Sequence, residues 1–106
     1  MSPLPMSLSV VVPCFDEERR VGASLEQLCA ALAAMPLASW EVLVVDDHST
    51  DGTAAIVEAV AAGRPQVRLA RTRTGKGKGA AVRTGVLAAV NDAVLVVDAD
   101  LAGDLG

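Results

Sequence analysis

The chain has 106 residues, of which 52% are apolar and 21% charged, a composition that predicts one small globular domain and excludes a disordered segment. A net charge of -4 argues against broad electrostatic binding to nucleic acid or to an anionic membrane. The two cysteines, Cys14 and Cys29, make neither a disulfide framework nor a metal cluster, so we expect both to be buried small hydrophobic residues. With no visible signal peptide and no apolar run of about 18 residues, we expect a cytoplasmic domain.

Four runs rich in Val and Leu predict buried strands, at residues 7–12, 41–45, 67–70 and 93–97. Apolar spacing and cap-type residues predict helices between them, at residues 17–35, 53–62 and 80–90. Strands that alternate with helices of this length predict a parallel sheet with right-handed crossovers. The expected fold class is therefore α/β, a Rossmann-like β-α-β-α-β-α-β sheet whose strands are buried on both faces.

Acidic residues follow three of the predicted strands: Asp16-Glu17, Asp46-Asp47, and Asp98 with Asp100. The carboxyl ends of all strands in a parallel sheet lie along one edge, where open α/β sheets bind ligands. Turns and helix caps also favour Asp, which accounts well for Asp16, Asp46 and Asp51. This preference accounts poorly for Asp98-Ala99-Asp100, because two like charges at a strand end repel unless a cation lies between them. We therefore expect Mg²⁺ or Mn²⁺ there, facing Asp47.

A glycine- and lysine-rich stretch opens the third predicted helix, at Gly75-Lys76-Gly77-Lys78-Gly79. Glycines let the backbone approach a ligand closely, and a helix N-terminus with lysines attracts anions. The stretch lacks the Ser or Thr after lysine that a Walker A loop requires, and it follows the third strand rather than the first, which disfavours nicotinamide binding. A solvated loop is the alternative interpretation.

Four blocks in this order resemble family 2 glycosyltransferases, and most closely the branch that makes polyprenyl- or dolichyl-phosphate mannose and glucose. They are Val-Pro-Cys-Phe-Asp-Glu-Glu (12–18), Val-Val-Asp-Asp-His-Ser-Thr-Asp-Gly-Thr (44–53), Gly-Lys-Gly-Ala-Ala-Val-Arg-Thr-Gly (77–85) and Val-Asp-Ala-Asp-Leu (97–101). The resemblance implies the nucleotide-binding half of a GT-A fold, over residues 1–106. It also implies hexose transfer from GDP-mannose or UDP-glucose to a polyprenyl-phosphate-type acceptor, at the inner face of the membrane, with no nucleic acid as partner.

The resemblance assigns the base and ribose of the donor to the first two strand ends. Pro13, Phe15 and Glu17 match the family's Pro-x-Tyr-Asn-Glu loop. Val45 and Asp47 match the end of the second strand, which contacts the base or the ribose. We expect Asp46, by contrast, to be structural.

The resemblance assigns the diphosphate to the fourth strand end. Asp98, Ala99 and Asp100 match the Asp-x-Asp motif, in which Asp98 and Asp100 would hold Mg²⁺ or Mn²⁺ on the diphosphate. Lys78 matches the lysine of Asn-x-Gly-Lys-Gly, near the donor.

Several positions depart from the family pattern. Phe15 keeps the ring of the usual tyrosine without its hydroxyl, Asp16 replaces asparagine, and Gly75 stands where asparagine is usual. His48 replaces a common glycine in a turn that favours positive φ, and we interpret it as a turn or surface residue rather than a general base. Ala102 stands where the mannose branch often has a metal-coordinating glutamine.

The family's catalytic domain continues well beyond its Asp-x-Asp motif into an acceptor-binding half. We therefore expect the catalytic residues on the acceptor side to lie beyond the position of Gly106. We also expect this chain to supply donor and metal binding, to transfer no sugar alone, and to self-associate through an uncovered sheet.

Two alternatives belong to other functional classes. One is a nucleotide-binding domain without catalytic activity. The other is a receiver-like signalling domain on a flavodoxin-like sheet, suggested by the run Val-Val-Asp-Asp-His at 44–48 and the strand that ends at Asp98. A receiver would begin at the acidic pair, whereas here a full strand and helix precede it.

Overall fold

The computed structural model describes residues 6–99, which form four strands and three helices in the predicted order. The strands are β1 (Ser7–Cys14), β2 (Ser39–Asp46), β3 (Val67–Arg71) and β4 (Ala93–Val96). The helices are α1 (Val21–Ala33), α2 (Thr53–Gly63) and α3 (Lys78–Ala88). None of these three helices is long and apolar enough to cross a bilayer.

The four strands form one parallel sheet in the order β3-β2-β1-β4. The predicted α/β class and parallel sheet are thus confirmed. The order has β1 between β2 and β4, as in a Rossmann half-sheet, whereas a flavodoxin-like sheet has its first strand between the second and the third. The topology therefore disfavours a receiver domain.

The two faces of the sheet carry separate apolar layers, because successive strand residues point to opposite faces. Val10, Val12, Val42 and Val44 pack with α1 and α2. On the other face, Val11, Leu43 and Val45 pack against Ala81 of α3. The core is a three-layer α/β/α arrangement, with the carboxyl ends of all four strands along one edge.

The sequence predicts that β1 ends before Pro13. In the structure the strand continues through Pro13 to Cys14. The amide of Val97 donates to the carbonyl of Val11, so the backbone of Val11, and of Pro13 two residues later, faces β4. Pairing with β4 ends at Val11. Pro13 therefore needs no donor on that side, while its other neighbour, Val45 of β2, keeps it in register.

Helix α1 begins at Val21, four residues later than predicted. Asp16 adopts a left-handed φ of 48°, which stops the backbone from entering a helix directly after β1. The preceding residues form a loop in which the amides of Arg20 and Val21 donate to the carbonyl of Glu17.

Strand β4 lies at the edge of the sheet and departs from the expectation that every strand is buried on both faces. Leu95 is 50% exposed and Val96 is 41% exposed. The expectation fails here because β4 has a neighbour on one side only, and no described helix covers its outer half. Three exposed apolar residues, Val86, Leu87 and Val90, lie at the nearby end of α3.

A buried carboxylate fixes the amino end of the sheet. Glu41 accepts hydrogen bonds from Ser9 Oγ at 2.7 Å, from the amide of Val90 at 2.9 Å and from the guanidinium of Arg68 at 2.8 Å. Ser9 Oγ in turn accepts from the amide of Asn91 at 3.2 Å. Burial favours the neutral form of Glu41, but these donors outweigh it and lower its pKa.

Candidate functional site

A cleft of about 420 Å³ lies at the carboxyl edge of the sheet, where β1, β2 and β4 end. We call it the carboxyl-edge cleft. Its lining residues are Pro13, Cys14, Phe15, Glu17, Asp47, Lys78, Ala81, Asp98 and Ala99. Seven of these are the residues that the sequence predicts for donor binding, although they come from segments far apart in the chain. Their convergence follows directly from the parallel topology.

The loop after β1 is tied to the loop after β2, which fixes the Phe15 side of the cleft. The amide of Asp16 donates to Ser49 Oγ at 2.9 Å, and Asp16 Oδ1 accepts from the amide of Thr50 at 2.8 Å. Phe15 is 57% exposed at the rim. The ring is thus presented to solvent by a loop whose backbone is held on both sides.

Glu17 lies on the same loop and is also bonded within the protein. Its amide donates to Thr53 Oγ1 at 2.9 Å, and its carboxylate pairs with Arg20 at 2.9 Å. Asp51 accepts from the amide of Thr53 at 2.9 Å and so caps the start of α2. Glu17 therefore lines the cleft while anchoring the start of α1 to the start of α2.

The neighbouring carboxylates at the end of β2 differ in their surroundings. Asp46 is 2% exposed, and its Oδ2 accepts from the amide of Ser49 at 3.4 Å and lies 3.5 Å from Arg71, contacts that agree with the predicted structural role. Its Oδ1 is buried and makes no hydrogen bond within the described residues. Asp47 Oδ2 accepts from the amide of Gly77 at 2.7 Å. Asp47 Oδ1 is buried and makes no hydrogen bond within the described residues, while His48 Nε2 lies 3.8 Å from it. Asp47 thus holds the glycine–lysine stretch with one oxygen and keeps an acceptor on the other.

His48 has a φ of 60°, which confirms the predicted turn. Its side chain is exposed, and Nε2 lies 3.0 Å from the carbonyl oxygen of Gly75. Because a carbonyl only accepts, Nε2 carries the hydrogen and donates it. Gly75 and Gly77 have φ values of 80° and 99°, which glycine adopts without strain. His48 and Asp47 therefore hold the two glycines that lead into α3.

Lys78 and Asp98 meet across the cleft, with Nζ 2.8 Å from Oδ1. Both side chains are exposed, at 66% and 62% respectively. Asp100, the second predicted metal ligand, lies outside the described residues. Within residues 6–99, no group of three or more His, Cys, Asp or Glu side chains is arranged to hold a metal ion. Asp98 offers a carboxylate at the cleft, a ligand type that suits Mg²⁺ or Mn²⁺.

At three further residues the lining of the cleft differs from the sequence-based assignment. The side chain of Val45 is fully buried against α3 and does not line the cleft. Cys14 and Ala81 line it, although the sequence analysis assigns them no role there. Burial, with the charges of Glu17 and Asp46, raises the pKa of Cys14 to about 12, which leaves an unreactive thiol. In the sequence, Cys14 stands between Pro13 and Phe15, which are both predicted to bind the donor. That position indicates that Cys14 lies at the cleft as well. Both cysteines are buried, as predicted.

Residues 9–103 match the family described as "Glycosyl transferase family 2". The chain belongs to this family. Among curated relatives, it is 39% identical over 103 residues to a dolichyl-phosphate beta-glucosyltransferase of Trichomonas vaginalis, covering 93% of this chain and 31% of that protein. It is 35% identical over 102 residues to a dodecaprenyl-phosphate galacturonate synthase of Rhizobium johnstonii, covering 93% of this chain and 29% of that protein. The chain thus spans about a third of the length of these relatives.

Solved glycosyltransferase and sugar-phosphoglycerate synthase structures share the fold. A mannosyltransferase from Pyrobaculum calidifontis, in complex with GDP-Man and Mn²⁺, superposes with a TM-score of 0.78 at 30% identity, covering 91% of this chain and 28% of that one. Glucosyl-3-phosphoglycerate synthase from Mycobacterium tuberculosis, in complex with Mn²⁺, UDP and glucosyl-3-phosphoglycerate, gives 0.68 at 27% identity, covering 89% of this chain and 33% of that one. The predicted GT-A fold is confirmed, and the family assignment decides against a receiver domain.

Proposed function

We propose that this chain forms the donor-binding part of a glycosyltransferase that takes a hexose from a GDP- or UDP-linked donor. The observation that carries the proposal is the carboxyl-edge cleft, which gathers an exposed aromatic ring, a carboxylate oxygen without a hydrogen bond in the described residues, and a lysine–carboxylate pair in one family 2 domain. Each group suits a different part of a nucleotide sugar.

The base and ribose would bind at the β1 and β2 side of the cleft. The ring of Phe15 offers a face for stacking on a base. Asp47 Oδ1 would accept from a base N–H or a ribose hydroxyl, since it makes no hydrogen bond within the described residues. Pro13 and Glu17 line the space between them.

The diphosphate would bind at the β4 side. Asp98 and Asp100 would hold Mg²⁺ or Mn²⁺, and when bound the cation neutralises negative charge on the diphosphate leaving group. Ala99 lines the cleft next to Asp98, and its small side chain would leave room for the sugar. Lys78 would contact phosphate oxygens from the N-terminus of α3.

The names of the relatives support a polyprenyl-phosphate-type lipid as the acceptor. We propose the cytoplasmic face of a membrane as the place of the reaction. Such an acceptor is itself anionic and needs no strong base to activate it. The groups that bind it, and the catalytic residues with them, are proposed to lie outside this part of the domain.

Calorimetric titration with UDP, GDP and ADP, each with and without Mn²⁺, tests the proposal. We expect saturable, Mn²⁺-dependent binding of UDP or GDP, and Asp98→Asn should weaken it more than tenfold. The same affinity with and without a chelator would contradict the proposal. Transfer of radiolabelled sugar to polyprenyl phosphate by this chain alone is not expected.

A further inference from the structure

The backbone that carries Lys78 is fixed at several points. The amide of Gly77, the residue before it, donates to Asp47 Oδ2 at 2.7 Å. The carbonyl of Gly77 accepts from the amide of Ala81 at 3.0 Å, in the first turn of α3. His48 holds Gly75 at 3.0 Å. The backbone at Lys78 is therefore fixed, and any rearrangement of this residue would take place in its side chain.

That side chain lies on the carboxylate proposed to hold the metal, with Nζ 2.8 Å from Asp98 Oδ1. We propose that Lys78 is an exchangeable counter-ion of the cation site. Its ammonium neutralises Asp98 while no divalent cation is bound, and leaves it when a cation arrives. This inference rests on the proposed donor and metal site.

The exposure of the pair makes the exchange easy. Lys78 is 66% exposed and Asp98 is 62% exposed, so water screens their attraction. A divalent cation on the same carboxylate would attract it more strongly and repel the ammonium. Because the pair is weak, competition from Lys78 should lower cation affinity only about two- to fivefold.

The released ammonium would stay at the cleft, because its backbone does not move. It would then lie at the N-terminus of α3, where the helix dipole also favours negative charge. A nucleoside diphosphate brings phosphate oxygens to this side of the cleft in the proposed function. Lys78 would thus exchange a carboxylate partner for a phosphate partner, and cation and nucleotide binding would become coupled through one side chain.

Two binding measurements on the full 106-residue chain test this exchange. The first titrates Mn²⁺ alone, following free Mn²⁺ by its electron paramagnetic resonance signal. The second titrates UDP or GDP at saturating Mn²⁺. The variant is Lys78→Gln; the matched control is Lys76→Gln, which removes an exposed lysine from the same stretch.

Lys78→Gln should bind Mn²⁺ alone about two- to fivefold more tightly and bind the nucleotide at least fivefold more weakly. Lys76→Gln should change neither constant by more than about twofold, and Lys78→Arg should keep the Mn²⁺ affinity near that of the unsubstituted chain because it retains the charge. A general loss of structure would weaken both ligands, so the opposite signs are diagnostic.

Unchanged or weaker Mn²⁺ binding by Lys78→Gln, in a chain that still binds Mn²⁺ and nucleotide, would overturn the exchange and leave the proposed function standing. An unsubstituted chain that binds neither Mn²⁺ nor nucleotide would instead overturn the donor site, and the exchange with it.

Discussion

One carboxylate, Asp47, connects the stability of the cleft to its proposed chemistry. Its Oδ2 accepts from the amide of Gly77, while its Oδ1 is the acceptor proposed for the nucleoside. A substitution that keeps the oxygen bonded to Gly77 should therefore preserve the stability of the chain. A substitution that removes both oxygens should lower it.

We expect Asp47→Asn to keep the melting temperature close to that of the unsubstituted chain, because the amide oxygen of asparagine can still accept from Gly77. Asp47→Ala leaves that amide unpaired and should lower the free energy of unfolding by about 1–2 kcal/mol. Urea denaturation followed by circular dichroism measures the difference. Equal stability of both variants would show that the bond to Gly77 does not hold the stretch.

His48 shows how far a single residue can be interpreted from sequence. The pattern around it predicts a turn with positive φ, and the backbone adopts 60° there. Its contact with Gly75 was not predictable, because 27 residues separate the two and only the fold brings them together. The same limit applies to Asp47 and Gly77, which are 30 residues apart.

At the scale of single elements, α3 packs on the sheet at a distance that only glycine permits. A Cβ at Gly85 would lie 2.4 Å from Val11 Cγ1 and 3.0 Å from Val45 Cγ2. Both valines are wholly buried and cannot move aside. The helix therefore has no room for even one methyl group at this point.

Gly85→Ala should lower the free energy of unfolding by about 1–3 kcal/mol through overpacking. Gly79→Ala is the matched control in the same helix, since no atom lies within 4 Å of a Cβ there. The control should be neutral or stabilising by up to about 1 kcal/mol, because alanine favours the helix. Thermal melts of the two variants compare them, and a stable Gly85→Ala variant would refute the close packing.

The bonds of Glu41 predict how stability depends on pH. Its pKa is lower in the folded chain than the ordinary value of 4.5, so its contribution is present above that pH and is lost as the pH falls through the folded value. Glu41→Gln should cost about 1–3 kcal/mol at pH 7, and the gap from the unsubstituted chain should narrow as the pH falls below 4.5.

Glu26→Gln is the control for this measurement, because Glu26 pairs with Arg64 at the surface and such pairs contribute little. Urea denaturation between pH 3 and pH 7 gives both curves. A gap that stays constant down to pH 3 would show that the charge of Glu41 is not what stabilises the amino end of the sheet.

The elements themselves were predictable because each has a local signature. Alternation of short apolar runs with helical spacing predicts all seven, in order. Their ends were less predictable, since they depend on neighbours: Pro13 stays in β1 because β4 has already ended, and α1 starts late because Asp16 bonds to the loop after β2.

At the scale of the whole molecule, the outer part of β4 is the surface through which we expect self-association. Leu95 and Val96 are exposed on an edge strand, whose free backbone groups can pair with another chain. Three further apolar residues are exposed in α3 and just after it: Val86, Leu87 and Val90.

We expect the chain to self-associate as its concentration rises, and Leu95→Lys to shift that association to higher concentration because a charge on an edge strand opposes pairing. Ala55→Lys adds the same charge on an exposed position of α2 and is the control. Light scattering across a concentration series measures both. Equal self-association of the Leu95→Lys and Ala55→Lys variants would show that the contact between chains does not involve the edge of β4.

Strand β2 and the residue directly after it supply the carboxylates that bond to the two ends of α3. Asp47 bonds to the amide of Gly77 just before the helix, and Glu41 bonds to the amide of Val90 just after it. A helix fastened at each end to one central strand cannot slide or tilt to follow an incoming molecule. Adaptation is left to side chains such as Phe15 and Lys78, which reorient within nanoseconds. Association with a nucleotide should therefore proceed in a single kinetic phase, at a rate that grows linearly with ligand concentration.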